Sequence, residues 1–146
     1  MSQEHLHFKE GEELVAAPYL LDADAAEAYG KSVKEPPRRR IKNIHSDPAA
    51  AAEAGFAKPI AAGEQTIALV IQLIADRCGE AFYRGGRFEA ALVKPVLYGD
   101  TLRAFARVER IANGFAELSI RVENQHGEAV LTGVARAPIA SSAASA

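Results

Sequence analysis

Cysteine is nearly absent: Cys78 is the one thiol in 146 residues, so no internal disulfide can form and no second thiol offers a metal-ligand spacing. Cys78 itself reads as a small residue near a helix end. Net charge is also small. A formal value of −2 gives no electrostatic case for nucleic acid or an anionic membrane surface. Long hydrophobic runs are missing too. The longest, Thr66 to Ala75, is interrupted by Gln72 and is too short to span a bilayer. The N-terminus is polar and acidic, without a basic n-region or an apolar h-region, so no secretion signal is expected. No cluster of residues suggests a metal, and no internal repeat is found. What remains is a chain with 49% hydrophobic residues, enough for one soluble globular domain with its own core. A cytoplasmic protein is the expectation.

Residues 1–12 are polar and read as a flexible N-terminus, 13–138 as a single domain, and 139–146 as a disordered Ser/Ala-rich tail. Glu13 to Leu20 suits an edge strand, because Pro18 would forfeit a ladder donor. Asp22 is a good N-cap for a helix from Ala23 to about Val33, which Pro36-Pro37 stops from continuing. Asp47 and Pro48 start a short helix that Gly55 ends. The main helix runs from Glu64 to roughly Arg77. Its Ile67, Leu69, Val70, Ile71, Leu73 and Ile74 cover almost the whole circumference, so other structure should wrap it.

After Gly79 the pattern turns to period two. Strands are expected at Arg87–Val93, Thr101–Ile111, Phe115–Glu123 and Ala129–Ala137. Tyr98-Gly99-Asp100, Asn113-Gly114 and His126-Gly127 break them, the middle pair being the strongest hairpin signal. An edge strand, helices, one apolar helix and a four-strand meander predict an α+β domain whose antiparallel sheet wraps a central apolar helix. That is the hot-dog architecture. Such a sheet leaves much of the central helix poorly covered, and a dimer is expected.

The stretch from Asn43 to Gly63 carries the chemistry. His45 stands just before a helix start, and its unperturbed pKa suits proton transfer near neutrality. A Pro-Ile-x-x-Gly turn, Pro59 to Gly63, ends eighteen residues after His45 and opens the apolar helix, whose first N–H groups could polarise a carbonyl.

The same stretch resembles the MaoC-like acyl dehydratases, the (R)-specific enoyl-CoA hydratases. The matching segments are Asn43-Ile44-His45-Ser46-Asp47-Pro48, Gly55 to Gly63, and Lys94-Pro95-Val96-Leu97-Tyr98-Gly99-Asp100-Thr101-Leu102. The resemblance implies a hot-dog dimer acting on acyl thioesters of coenzyme A or acyl carrier protein. It also implies His45 as a catalytic residue and Gly63 as the amide that binds the thioester carbonyl. In that family an Asp five residues before the His works with it. Here that position is Arg40, and the His that often precedes the helix glycine is Ala62.

Each candidate has a plain alternative. His45 could simply bond the neighbouring helix start, and Asp47 is better suited to capping than to replacing the family's Asp. Glu64, in the first turn of the apolar helix, is either a general base or a carboxylate offsetting the helix dipole. Arg40, within the basic run Arg38-Arg39-Arg40 and Lys42, is either solvated loop charge or a seat for coenzyme A phosphates or an acyl carboxylate. Arg84 and Arg87, around Gly85-Gly86, are secondary phosphate candidates, and Ala62 is expected to border the substrate. Glu35 could reach the site from its loop, but the sequence does not place it. His5, His7 and His126 have no assigned role.

The function expected is reversible hydration of a 2-enoyl thioester to a 3-hydroxyacyl thioester, with the coenzyme A thioester as substrate and no other cofactor. The alternatives are an acyl-CoA thioesterase with Glu64 as base, or a non-catalytic hot-dog subunit of a heteromeric dehydratase. A homodimer or higher homo-oligomer is expected as the assembly, with a heteromer containing another hot-dog chain as its alternative.

Overall fold

A computed structural model describes residues 7–32 and 43–139 of the chain. Two short strands come first, β1 (Glu13–Val15) and β2 (Tyr19–Leu20), followed by helix α1 (Ala23–Ser32). They are the single edge strand expected from the sequence, divided ahead of the position where Pro18 removes a donor. Then come α2 (Pro48–Glu53), α3 (Gly63–Cys78), α4 (Glu80–Gly85), and strands β3 (Arg87–Leu92), β4 (Thr101–Ala112), β5 (Phe115–Glu123) and β6 (Ala129–Pro138). All strand pairings are antiparallel, in the order β1-β4-β5-β6-β3, with β2 also on β4.

The hairpin between β4 and β5 turns at Asn113 (φ 53°) and Gly114 (φ 80°). Both angles are positive, as a type I′ turn needs. From β4 to β6 the chain is a meander, but β3 pairs with β6 rather than with its sequence neighbour β4. The expected four-strand meander is corrected here. Residues 93–100 contain Pro95 and cannot close a tight hairpin. They pass across the start of α3, where Leu97 forms an antiparallel bridge with Ile60.

Inward residues of the strands (Leu102, Ala104, Ala106 and Val108 of β4; Ala116, Leu118, Ile120 and Val122 of β5) are buried against Val70, Ile74 and Cys78 of α3. Each buried leucine, isoleucine or valine among them contributes about 1.5–3 kcal/mol, so this layer holds the helix in the sheet's concavity. Burial pushes the Cys78 thiol upward, and its Sγ donates to the Ile74 carbonyl. The described residues do not wrap the helix all round. Ile67, Leu69, Ile71 and Leu73 are only half-covered, while Ala68 and Gln72 are exposed.

Helix α4 was not expected. Its six residues bury Phe82 and pair Glu80 with Arg84 across one turn, a local pattern too short for periodicity to reveal. Residues 7–12, read as part of a flexible N-terminus, are fastened to the domain. Phe8 is buried, the Gly11 amide donates to Val108, and Arg77 bonds both the His7 carbonyl and Glu12.

Candidate active site

The turn that presents His45 is built by Asn43. Its side-chain oxygen accepts the His45 amide at 2.9 Å, and its carbonyl accepts the amides of Ser46 and Asp47. Asp47 is the N-cap of α2 and takes the Ala49 amide at 3.1 Å, which is the capping role expected of it.

The imidazole is half-buried, and its Nδ1 lies 2.9 Å from the carbonyl oxygen of Ile60. A carbonyl can only accept, so Nδ1 carries the hydrogen. In the neutral ring Nε2 is then the bare nitrogen, able to take a proton. Ile60 lies on the turn that opens α3, three residues before Gly63. At ~3.5 Å per residue at most, ring and helix start are joined by no more than about 10 Å of chain.

At that start, Ala62 is the N-cap residue and supplies no side-chain cap; the Gln65 amide donates to the Ala62 carbonyl at 3.0 Å, and the amides of Gly63 and Glu64 stand at the positive end of the helix dipole. Gly63 is the first helical residue, and Leu92 at the end of β3 packs directly against it. Glu64 is exposed in the same turn. Its charge, together with partial burial as the larger cause, pushes the Tyr29 hydroxyl of α1 above its ordinary pKa. The next residue, Gln65, is 4% exposed and donates from Nε2 to the Tyr19 hydroxyl at 3.2 Å.

His45, Ala62, Gly63 and Glu64 therefore belong to one neighbourhood. Arg84 and Arg87 do not join it within this chain. Arg84 follows the C-terminal end of α3 and pairs with Glu80, and Arg87 begins β3 at the end away from Leu92. A 16-residue helix separates them from Gly63, roughly 24 Å at ~1.5 Å per residue. Arg40, with Glu35, Arg38, Arg39 and Lys42, lies outside the described residues. Among the described residues no group of three or more His, Cys, Asp or Glu could hold a metal, and no helix is long and apolar enough to cross a membrane.

Sequence reasoning missed three participants. Leu92 and the Ile60 carbonyl gave no signal, since backbone and aliphatic contacts have no motif. Tyr98 did lie in a quoted motif, but its partner did not show: the hydroxyl donates to the His45 carbonyl.

A MaoC-like domain is matched over residues 41–130, more than half of the sequence. The chain belongs to the MaoC-like dehydratase family. No curated protein matches it. Among solved structures it is similar to the (R)-hydratase of A. caviae involved in PHA biosynthesis, at 22% identity and a TM-score of 0.71, covering 95% of this chain and 100% of that one. It is similar to R-hydratase PhaJ1 of Pseudomonas aeruginosa at 22% identity and a TM-score of 0.72, covering 93% and 86%. The ChsH1-ChsH2 complex of Mycobacterium tuberculosis matches at 15% identity and 0.73, covering 92% and 100%. At these identities the likeness is one of fold. This MaoC-like chain has the hot-dog fold, an antiparallel sheet around a central helix.

Proposed function

We propose that this MaoC-like protein adds water reversibly across the double bond of a 2-enoyl thioester of coenzyme A or acyl carrier protein. The observation that carries the reading is the 2.9 Å contact of His45 Nδ1 with the Ile60 carbonyl, which leaves Nε2 free beside the uncapped start of α3. In the hydration direction the first-turn amide of Gly63 takes the thioester oxygen, drawing electron density from C3. Water attacks C3 and gives a proton to Nε2 of His45. Negative charge moves to the thioester oxygen, where the helix terminus stabilises it. The proton then goes to C2, and the 3-hydroxyacyl thioester leaves. Glu64, exposed at the same turn, is placed in this reading as a second group that exchanges protons with solvent. No cofactor is needed beyond the thioester itself.

The assembly belongs to the same reading. One flank of α3 is half-covered, the outer edge of β3 pairs with no strand among the described residues, and Leu92, Val93 and Val134 are exposed near it. An unpaired six-residue edge beside apolar surface is a liability that a second copy would remove. The homodimer is therefore the proposed state. A heteromer with a second hot-dog chain is the alternative, favoured by the likeness to a complex of two named components.

The test is loss of enoyl absorbance with crotonyl-CoA and longer enoyl-CoAs. His45→Ala should lower kcat by about 10²–10⁴-fold, the usual contribution of a positioned acid–base group. Wild-type protein that leaves every enoyl thioester intact would end the proposal. Release of free thiol from acyl-CoA, lost in Glu64→Gln and kept in His45→Ala, would select hydrolysis instead.

A further inference from the structure

We infer that Tyr98 is the positioning residue for His45, and that the Leu97–Asp100 turn is the frame that aims the imidazole. The inference rests on His45 being the acid–base group, and it says what orients that group.

The His45 residue is fixed at three points: its amide by Asn43, its Nδ1 by the Ile60 carbonyl, and its own carbonyl by the Tyr98 hydroxyl. The last two points converge on one piece of structure. Ile60 bridges Leu97, the Tyr98 amide donates to the Pro59 carbonyl at 3.0 Å, and the Ala61 amide donates to the Val96 carbonyl at 2.8 Å. The Ile60 amide donates in turn to the Ile44 carbonyl at 3.0 Å, closing a loop around the histidine.

The turn carrying Tyr98 is itself over-determined. Gly99 has φ 97°, which a side chain would resist. One Asp100 carboxylate oxygen accepts the Leu97 amide at 2.9 Å, and the other accepts Gln125 Nε2 at 2.9 Å. The Gly99 amide reaches the Leu21 carbonyl at 2.7 Å, and Leu21 returns a bond to the Asp100 carbonyl at 2.9 Å. A turn tied to three other segments has little freedom, so its tyrosine is a fixed post. Partial burial pushes the Tyr98 hydroxyl above its usual pKa, so it keeps its proton and donates.

Removing the hydroxyl frees the His45 carbonyl, so the residue can turn about its remaining Asn43 bond and carry Nδ1 away from the Ile60 carbonyl, the contact that sets the tautomer. Misplacing a catalytic group by about 1 Å can cost about 10²-fold in rate.

The test pairs kinetics of Tyr98→Phe with ring ¹⁵N NMR of His45, read above the ordinary histidine pKa of about 6.5. Wild-type protein should show the Nδ1–H tautomer, opposite to the one free histidine favours. In Tyr98→Phe that preference should be lost, and kcat should fall about 10- to 100-fold with KM little changed. A wild-type ring protonated at Nε2 overturns the inference, and needs no variant if Tyr98→Phe fails to fold. So does a variant that keeps the tautomer, whatever its rate, because its effect would not pass through the ring. A lost tautomer with undiminished kcat upholds Tyr98 as the ring's positioning residue, and instead removes His45 from the proposed hydration.

Discussion

A β-carbon placed on Gly63 would stand 2.3 Å from Cδ1 of Leu92, so the glycine at the start of α3 and the leucine at the end of β3 are fitted to each other. The contact joins the helix terminus proposed to hold the thioester oxygen to the last strand in the sheet order.

Gly63→Ala should therefore separate stability from activity. The atom in the way is the far end of a flexible side chain rather than main chain, so the leucine can change rotamer. Unfolding free energy should change by less than about 1 kcal/mol. The displaced leucine would crowd the amide that holds the substrate, and kcat/KM on an enoyl-CoA should fall by about 10-fold or more. Leu92→Ala in the same chain should restore most of the loss. A double variant no better than Gly63→Ala would show that the leucine is not the cause.

Gly133 makes the opposite prediction. It faces Ala90 across the β6–β3 ladder, and a β-carbon there would lie 2.1 Å from the Glu89 carbonyl oxygen and 2.7 Å from the Ala90 Cα. These are main-chain atoms held by a register, and they cannot rotate away. Gly133→Ala should cost about 1–3 kcal/mol, lowering Tm by several degrees. Gly114, with φ 80° and nothing within 4 Å of its β-carbon position, is the comparison. Its replacement strains only a turn, and should cost about 1 kcal/mol. Calorimetry on the two variants checks the order; a Gly133→Ala protein as stable as the wild type would mean β3 is not held in this register.

The contrast between these glycines shows what the sequence could reveal. Strand β5 occupies Phe115–Glu123, the bounds its alternation predicts, because a sheet with one buried face imposes period two at every residue. The Asn113-Gly114 hairpin was equally plain, since the turn demands positive φ from its own residues. The partner of β3 was not legible. Its pairing with β6 links residues some forty positions apart, and no local rule chooses β6 over β4. The candidate site divides in the same way. His45, Ala62, Gly63 and Glu64 were visible as a turn and a helix start, while the Tyr98 bond to His45 spans 53 positions and carries no spacing to read. Arg84 and Arg87 are phosphate candidates on the sequence, and their distance from the α3 start was not legible there; helix α4 holds Arg84 beyond the far end of α3.

The last prediction concerns acid. Arg77 on α3 bonds the Glu12 carboxylate at 2.7 Å and the His7 carbonyl at 2.9 Å, and its guanidinium lies 5.8 Å from the Phe8 ring centre. Glu12 also accepts the Lys9 amide at 3.0 Å. Partial burial alone would raise the Glu12 pKa, but the bonds from Arg77 and Lys9 outweigh it and hold the carboxyl below its ordinary 4.5. A depressed folded-state pKa means that the unfolded chain takes up the proton first as pH falls. The contribution is thus complete well above 4.5 and is lost as pH drops through the lowered value. Since both side chains remain partly exposed, the gain at neutral pH should be about 1 kcal/mol or less. Glu12→Gln keeps an acceptor for Lys9 and removes only the charge. Urea unfolding of the two proteins should show the wild type more stable at neutral pH, with the gap closing on acidification below the folded-state pKa. A gap that persists unchanged in acid would trace the stabilisation to packing around Phe8 rather than to the Glu12 charge.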